Sequence, residues 1–132
     1  MKNKLKRPEI IRKHTDELEM VGSGKYYGEE YKYQGKPYTG FVIFDYWPNG
    51  NIMGEAEHVD GVVMGWEVDY YENGNIEYAV LMYGGKSVVY YEYSESGELI
   101  EEGWVADKKH YNDVAKLTGI DPIELTEEEK NQ

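Results

Sequence analysis

Short runs of apolar and aromatic residues alternate with polar residues along most of the chain, and glycine-containing turns separate the runs. Three of these turns, at Gly50, Gly74 and Gly97, recur at intervals of 24 and 23 residues. Other glycine turns, QGKPYTG, DGVVMG and GGK, lie about midway between them. Runs this short, rich in tyrosine, valine and isoleucine and bounded by turns, predict an antiparallel β-meander rather than helices.

Seven strands follow from this spacing. We predict them near residues 26–33, 38–47, 51–59, 62–71, 75–83, 87–94 and 98–106. The predicted fold class is mainly β: a single antiparallel β-meander of about seven strands built from hairpin repeats, with a short C-terminal helix. The chain then divides into a basic N-terminal segment at 1–24, a β-repeat domain at 25–106 and a helical C-terminal tail at 107–132.

The segments at the two ends are expected to cover the apolar side of the sheet. The stretch KKHYNDVAKLTG predicts a helix that ends at Gly119. Its apolar side comprises Tyr111, Val114, Ala115 and Leu117. Thr126 and Glu129 have the spacing of a capping box. Residues 9–21 fit either a short helix or a short strand, and curling of the sheet into a half-barrel is the alternative to a cover.

The length of the hairpin loops decides which side chains share a face. Two-residue Asn-Gly loops would place Tyr46 with Met53 and Glu55, which mixes apolar and acidic side chains on both faces. Three-residue loops with a left-handed glycine pair Tyr46 with Ile52 instead. The apolar face is then Val42, Phe44, Tyr46, Ile52, Ala56, Met64, Trp66, Val68, Tyr70, Ile76, Tyr78, Val80, Met82, Val89, Tyr91, Tyr93, Leu99 and Val105. We predict this second register, because a slip of one residue exchanges the two faces.

The opposite face in this register combines acids with aromatic rings. It comprises Asp45, Trp47, Glu55, Glu57, Glu67, Asp69, Tyr71, Glu77, Glu92 and Glu102, with Phe41, Ile43, Leu81, Tyr90 and Trp104 among them. Asp45, Asp69 and Glu92 occupy the same place in successive repeats and are expected in one row, about 10 Å apart on alternate strands. Aromatic anchors among carboxylates suit a basic protein partner, unless the N-terminal segment covers these rings.

From this face we select candidate partner-binding residues. They are Asp45, Trp47, Glu55, Glu57, Glu67, Asp69, Tyr71 and Glu92. The charge of the chain supports the selection: the first 13 residues carry six Lys/Arg and one acid, and the remainder carries eight Lys/Arg and twenty-five acids. A body this acidic repels nucleic-acid phosphates and anionic lipids, so we expect neither as a partner. Solubility alone is the competing explanation of the charge.

Enzymatic and metal-binding patterns are weak. His14, His58 and His110 lack the spacing of a metal site, and no P-loop, GxSxG or GxGxxG pattern follows a strand. Asp45 and Asp69, about 10 Å apart on a flat sheet, barely reach the separation of an inverting glycosidase and have no pocket to raise a pKa. We expect no enzymatic activity, metal or cofactor. With no cysteine, secretory signal or membrane-length apolar run, the sequence fits a soluble cytoplasmic protein.

Three stretches carry a family resemblance: YKYQGKPYTGFVIFDYWPNGNI, DGVVMGWEVDYYENGNIEY and YYEYSESGELI. They resemble the MORN-repeat variant family, which includes bacterial antitoxins of the YwqK type and immunity proteins of polymorphic toxin systems. The match covers residues 26–105, and the third repeat departs from it with SESG in place of ENG.

The resemblance implies a MORN-like β-repeat domain and an immunity protein that neutralises a cognate toxin domain by direct binding. The acidic body suggests that this toxin is basic, with a nuclease as one candidate whose active site the carboxylates would occlude in place of phosphates. A general MORN-type scaffold for protein–protein interaction, without a toxin partner, is the main alternative. A carbohydrate-binding module that uses Trp47 and Tyr71 is a third.

Overall fold

A computed structural model describes residues 5–23 and 29–132, which are mainly β. The strands are β1 (Arg12–His14), β2 (Glu19–Ser23), β3 (Glu29–Tyr33), β4 (Lys36–Pro37), β5 (Gly40–Tyr46), β6 (Ile52–Val59), β7 (Val62–Tyr70), β8 (Ile76–Tyr83), β9 (Lys86–Tyr93) and β10 (Leu99–Trp104). The helices are α1 (Lys109–Thr118) and α2 (Glu127–Lys130), and a 3-10 turn spans Thr15–Glu17.

The main sheet has seven strands in the order β1-β5-β6-β7-β8-β9-β10. Strands β5 to β10 form the predicted antiparallel meander. The prediction of one wholly antiparallel sheet is only partly right, because β1 joins β5 in parallel and β3 lies in a separate three-stranded sheet with β2 and β4. Residues 26–28 of the first predicted strand, and the predicted boundary between residues 24 and 25, lie outside the described residues.

The separate small sheet is tied to the turn between β6 and β7. Tyr31 donates its N–H to the Gly61 carbonyl oxygen at 3.0 Å, and Gly61 donates its N–H to the Tyr38 carbonyl oxygen at 2.7 Å. Tyr38 in turn donates to the Tyr31 carbonyl oxygen at 3.0 Å, so the three residues close a small network before β5 begins. Residues 9–21, for which helix and strand were both open, contain β1, the 3-10 turn and the start of β2.

The predicted three-residue hairpin loops are confirmed. Tyr46 pairs with Ile52, and Tyr70 with Ile76. The loop glycines Gly50, Gly74 and Gly97 have φ values of 91°, 90° and 96°. These left-handed conformations are those of a type I turn followed by a bulge, and they favour glycine.

The repeated asparagines hold successive hairpins together. The side-chain amides of Asn49 and Asn51 both donate to the Glu72 carbonyl oxygen in the next hairpin, each at 2.8 Å. The second hairpin repeats the arrangement with Asn73, Asn75 and the Glu95 carbonyl oxygen. Ser96 and Glu98 stand at these positions in the third hairpin, after which the chain passes to α1. The departure of the third repeat from the pattern therefore coincides with the end of the stack.

A second irregularity after each hairpin changes which side chains face the core. The returning strands β6, β8 and β10 each contain one extra residue, Met53, Glu77 and Ile100 respectively. Phe44 is an additional bulge in β5. Because an inserted residue reverses the alternation beyond it, the prediction of the faces is correct for β7 and β9 and reversed over much of β5, β6, β8 and β10.

Because of the bulges, two groups of side chains lie on the face opposite to the predicted one. Val42, Ala56, Tyr78 and Val80, predicted on the apolar face that packs against the helix, lie on the other face. Phe41, Ile43, Glu55, Glu57, Leu81, Glu102 and Trp104, predicted on the acidic face, lie on the helix-packed face. We call the helix-packed face the covered face and the other the open face; at its β5 end the open face is buried, because Val42 packs there with Tyr31 and Tyr38.

Helix α1 packs on the covered face. Val114 belongs to the same buried cluster as Trp66 and Val68. The helix ends, as predicted, at a left-handed Gly119. Its apolar side differs from the prediction, because Leu117 is 50% exposed and the next residue is buried. The predicted capping box between Thr126 and Glu129 is present at the start of α2.

The N-terminal segment supplies a counter-ion for Glu55, which is 1% exposed on the covered face. Arg12 donates from Nε to Glu55 Oε1 at 2.7 Å, and Tyr70 donates its hydroxyl to the other carboxylate oxygen. Burial, together with Glu55, raises the pKa of Tyr70, which therefore remains a donor. Glu55 was selected as a partner-binding residue, and that prediction is wrong because the β6 bulge turns it into the core.

Glu57 is the second buried acid, 3% exposed. Arg7 donates to Glu57 Oε1 at 3.3 Å and to the Thr118 carbonyl oxygen, at the end of α1, at 2.9 Å. Burial raises the pKa of Glu57 to about 7, although Arg7 acts in the opposite direction. The prediction that Glu57 binds a partner is wrong for the same geometric reason. One arginine thus joins the N-terminal segment, the sheet and the helix.

Replacing Asn51 and Asn75 together by alanine should lower the free energy of unfolding by about 2 kcal/mol, because each loses one hydrogen bond to the next hairpin. Urea denaturation measures the change. Glu98→Ala is the matched control at the corresponding position of the third hairpin and should cost less than about 0.5 kcal/mol. Equal losses in the two proteins would contradict a role in hairpin stacking.

Replacing Arg12 by methionine should lower the free energy of unfolding by about 3 to 5 kcal/mol, because Glu55 remains buried without its counter-ion. The neighbouring Lys13→Met removes the same charge from a side chain over the Tyr33 ring and should cost about 1 kcal/mol or less. Chemical denaturation compares the two variants. The double variant Arg12→Met, Glu55→Met should recover part of the lost free energy of unfolding. If it recovers none, the loss in Arg12→Met does not come from the broken ion pair.

Candidate functional site

The open face of the main sheet brings together three carboxylates and two tyrosines, which we call the acidic–tyrosine patch. The patch consists of Glu67, Asp69, Tyr78, Tyr90 and Glu92. Tyr78 lies directly between Asp69 on one neighbouring strand and Glu92 on the other. In the adjacent row, Glu67 and Tyr90 flank the buried Val80. Directly paired residues of neighbouring strands lie about 5 Å apart, so these side chains form one contiguous surface.

The two tyrosines form the aromatic part of the patch. The rings of Tyr78 and Tyr90 are stacked, with centroids 5.9 Å apart and planes 26° apart. Tyr90 also leans over β10, where a Cβ atom on Gly103 would come within 2.3 Å of its ring. Gly103 therefore provides the space that lets the Tyr90 ring lie along the sheet. Rings held in this way offer a rigid apolar surface at little entropic cost.

Glu67 and Asp69 of the patch carry unfavourable charge. Burial raises the pKa of Glu67, and the nearby Asp69 raises it further. Burial raises the pKa of Asp69 as well. The pKa of Tyr78 is raised by burial and by Glu92, among other neighbours. Over residues 5–23 and 29–132, no lysine, arginine or histidine lies within ion-pair distance of any carboxylate of the patch.

The predicted row of acids is confirmed. Pairing runs from Asp45 through Gly54, Asp69 and Tyr78 to Glu92, so the three acids lie on alternate strands of one row. Glu67, Asp69 and Glu92 are thus brought together. Asp45 is exposed at the margin of the patch, where its carboxylate accepts the N–H of Tyr46.

Trp47 and Tyr71 lie at the hairpin ends and serve the stacking of the repeats. The indole N–H of Trp47 donates to the Tyr70 carbonyl oxygen at 3.1 Å. The Tyr71 hydroxyl donates to the Tyr93 carbonyl oxygen at 2.7 Å. Their polar atoms are therefore directed at the backbone of the following repeat. With Glu55 and Glu57 buried on the covered face, half of the eight selected residues have structural partners.

Sequence reasoning missed the tyrosines of the patch. Tyr78 was assigned to the covered face because the bulge at Glu77 was not foreseen. Tyr90 was placed on the correct face but was not selected. The pairing of Tyr90 with Gly103, a large ring beside a residue without a side chain, is the signal that could have identified it.

Other kinds of site find little support in the part of the chain that the structure describes. It contains no group of three or more His, Asp or Glu side chains arranged to hold a metal ion. None of its helices is long and apolar enough to cross a membrane.

Comparison with known proteins gives no assignment. No protein-family model matches the chain, and neither a curated protein nor a solved structure matches it.

Replacing Glu67 by glutamine should stabilise the protein at pH 7 by about 0.5 to 1 kcal/mol, because it removes a half-buried charge beside Asp69. A raised folded-state pKa means that protonation favours the folded protein, so the native glutamate lowers stability as the pH rises above about 4.3. The advantage of the variant should therefore vanish in acid. Urea denaturation between pH 4 and 7 tests this.

The exposed Glu124→Gln is the control and should change stability by less than about 0.5 kcal/mol across that range. A Glu67→Gln protein that is less stable than the native chain at pH 7 would show that this carboxylate has a stabilising partner, and would contradict the electrostatic description of the patch.

Proposed function

We propose that this chain is an immunity protein that binds a basic toxin domain through its acidic–tyrosine patch and thereby neutralises it. The observation that carries the proposal is the set of half-buried or exposed carboxylates around Tyr78, for which the described residues provide no cation. The resemblance of the repeats to the MORN-repeat variant family supports the choice of an immunity protein over a general scaffold.

The energetics of the patch favour a cationic partner. Glu67 and Asp69 lose hydration in the free protein without gaining a counter-charge, which is why their pKa values are raised. A lysine or arginine of a partner would remove this penalty on binding. The interaction therefore gains more from the same charges than it would on a fully hydrated surface.

The tyrosines would supply most of the affinity. Stacked, half-exposed rings can pack against apolar groups or against the face of a guanidinium. The surrounding carboxylates would accelerate association and reject acidic competitors. This division of labour is typical of interfaces in which a few aromatic anchors are surrounded by charged residues.

The test compares two triple variants that remove equal charge. Glu67→Gln, Asp69→Asn and Glu92→Gln together neutralise the patch. Asp121→Asn, Glu124→Gln and Glu128→Gln neutralise three exposed acids outside the sheet. Both are measured against the protein encoded beside this chain, which the proposal expects to carry the toxin domain, by association rate at low salt and by survival of cells that express that protein. The patch variant should associate at least about tenfold more slowly and lose protection, and the control should retain both.

Equal rates and equal protection for the two folded variants would remove the patch from the mechanism. Failure of the native chain to bind or protect against the neighbouring protein would overturn the immunity function itself and favour the scaffold alternative.

A further inference from the structure

The outer edge of β10 is a free sheet edge within residues 5–23 and 29–132. The two earlier returning strands, β6 and β8, each pair with the next strand along the chain, β7 and β9. After Trp104 the chain instead turns to α1, which packs on the covered face. The position at which a further repeat would add a strand is therefore open.

The backbone of β10 presents unpaired groups at this edge. Val105 donates its N–H inward to the Val88 carbonyl oxygen at 2.9 Å. Successive backbone groups of an antiparallel strand point alternately toward and away from the partner strand. The N–H and C=O groups of Trp104 and Glu102 therefore point outward, away from β9. Two residues spaced in this way are the template that an added strand requires.

Some of the usual protections of an edge strand are absent from β10, although the bulge at Ile100 and the exposed glutamates remain. It has six residues and contains neither lysine nor proline. Leu99 and Ile100 are 52% and 66% exposed. The opposite edge, β1, has three residues, of which two are basic. Of the two edges, β10 is thus the one that offers length, backbone groups and apolar side chains to a partner.

The negative charge of the β10 edge favours a basic segment as its partner. Glu98, Glu101 and Glu102 lie in or beside β10, and all are exposed. A second copy paired antiparallel about Glu102, whose backbone groups point outward, would bring Glu102 opposite the partner copy's Glu102, and like charges in that position are destabilising. A basic segment would instead meet complementary charge. Glu101 also pairs with Glu92, so an added strand would extend the row that contains Tyr78.

We propose that β10 accepts an extended, basic segment of a partner protein as an additional strand of the main sheet. The identification of that partner as a toxin domain rests on the proposed function, whereas the pairing itself does not. Main-chain hydrogen bonds to Glu102 and Trp104 would fix the register. Basic side chains of the segment would lie beside Glu101 and continue the contact onto the acidic–tyrosine patch.

The probe is the blocked hexapeptide Lys-Thr-Lys-Val-Lys-Thr, titrated into the full chain while the backbone amide signals of β10 are followed by NMR. Its matched control is the same peptide N-methylated on alternate residues, which keeps the charge and removes the strand donors from one edge; both alternate patterns are made. At least one methylated pattern should bind more than tenfold more weakly. Equal binding by all three peptides would show attraction by charge alone and would overturn the proposal.

Two variants of the protein, rather than of the peptide, test the same contact. Glu102→Pro and Glu102→Thr both remove the carboxylate, which accepts a hydrogen bond from the Trp104 indole, but only proline removes the outward N–H. The peptide should bind the proline variant at least tenfold more weakly than the threonine variant. Equal affinity, or no saturable binding to the native chain at millimolar peptide, would overturn the proposal. The peptide comparison on the native chain remains decisive if the proline variant does not fold.

Further outcomes separate this inference from the proposed function. A dimer of the free chain that Glu102→Pro dissociates would assign the edge to a second copy and overturn the proposal. Native-level protection against the toxin by a folded Glu102→Pro protein would leave the immunity function standing and remove the edge from it. Peptide binding at the edge by a chain that protects against no toxin would support the edge and overturn the immunity function.

Discussion

The pairing of Arg7 and Arg12 with Glu57 and Glu55 is the constraint on which the rest of the structure depends. A carboxylate buried without a counter-ion costs several kcal/mol, so an apolar cover alone could not close this face of the sheet. The arginines come from the N-terminal segment, and Arg7 also bonds to the last turn of α1. Both ends of the chain are therefore positioned by the same pair of buried acids.

This arrangement also accounts for the distribution of charge between the two faces. Arg7 and Arg12 are directed at the covered face, where Lys6 also donates to the Gly74 carbonyl oxygen. The acids of the open face consequently keep their charge without local compensation from the described residues. The basic N-terminal segment thus neutralises buried acids of the body on the covered face. The acids of the open face are left without a counter-charge from the described residues.

The sequence predicted the features whose causes are local. Glycine spacing identified the hairpins and their three-residue loops, because a left-handed residue in a bulged turn favours glycine wherever it occurs. The helix, its end at Gly119 and the capping box follow from equally short-range rules. The row of Asp45, Asp69 and Glu92 was predictable because it depends only on the loop and the repeat length.

The faces of the returning strands could not be predicted, because their cause is distant. At corresponding positions of the repeats, the bulges direct Glu55, Ala79 and Glu102 to the same face. Nothing in the neighbourhood of Glu55 shows that Arg12, 43 positions away, will neutralise it. A period-two pattern assigns a glutamate to water unless its counter-ion is known. Glu55 and Glu57 were misjudged as surface residues because their counter-ions, Arg12 and Arg7, lie well separated from them in the sequence.

The residues that stack the hairpins and several of the residues that form the patch occupy different positions of the repeat. The residues that recur are Asn-Gly-Asn and the aromatic Trp47 or Tyr71 that precedes them. Hydrogen bonds from these asparagine and aromatic side chains connect one hairpin to the next. The patch also uses positions at which the repeats differ: Tyr78 corresponds to Gly54 and Glu101, and Glu67 corresponds to Ile43 and Tyr90. Such positions can change without loss of a stacking hydrogen bond. Under the proposed function, the partner bound by the patch could therefore change while the hairpins, the buried ion pairs and the fold remain the same.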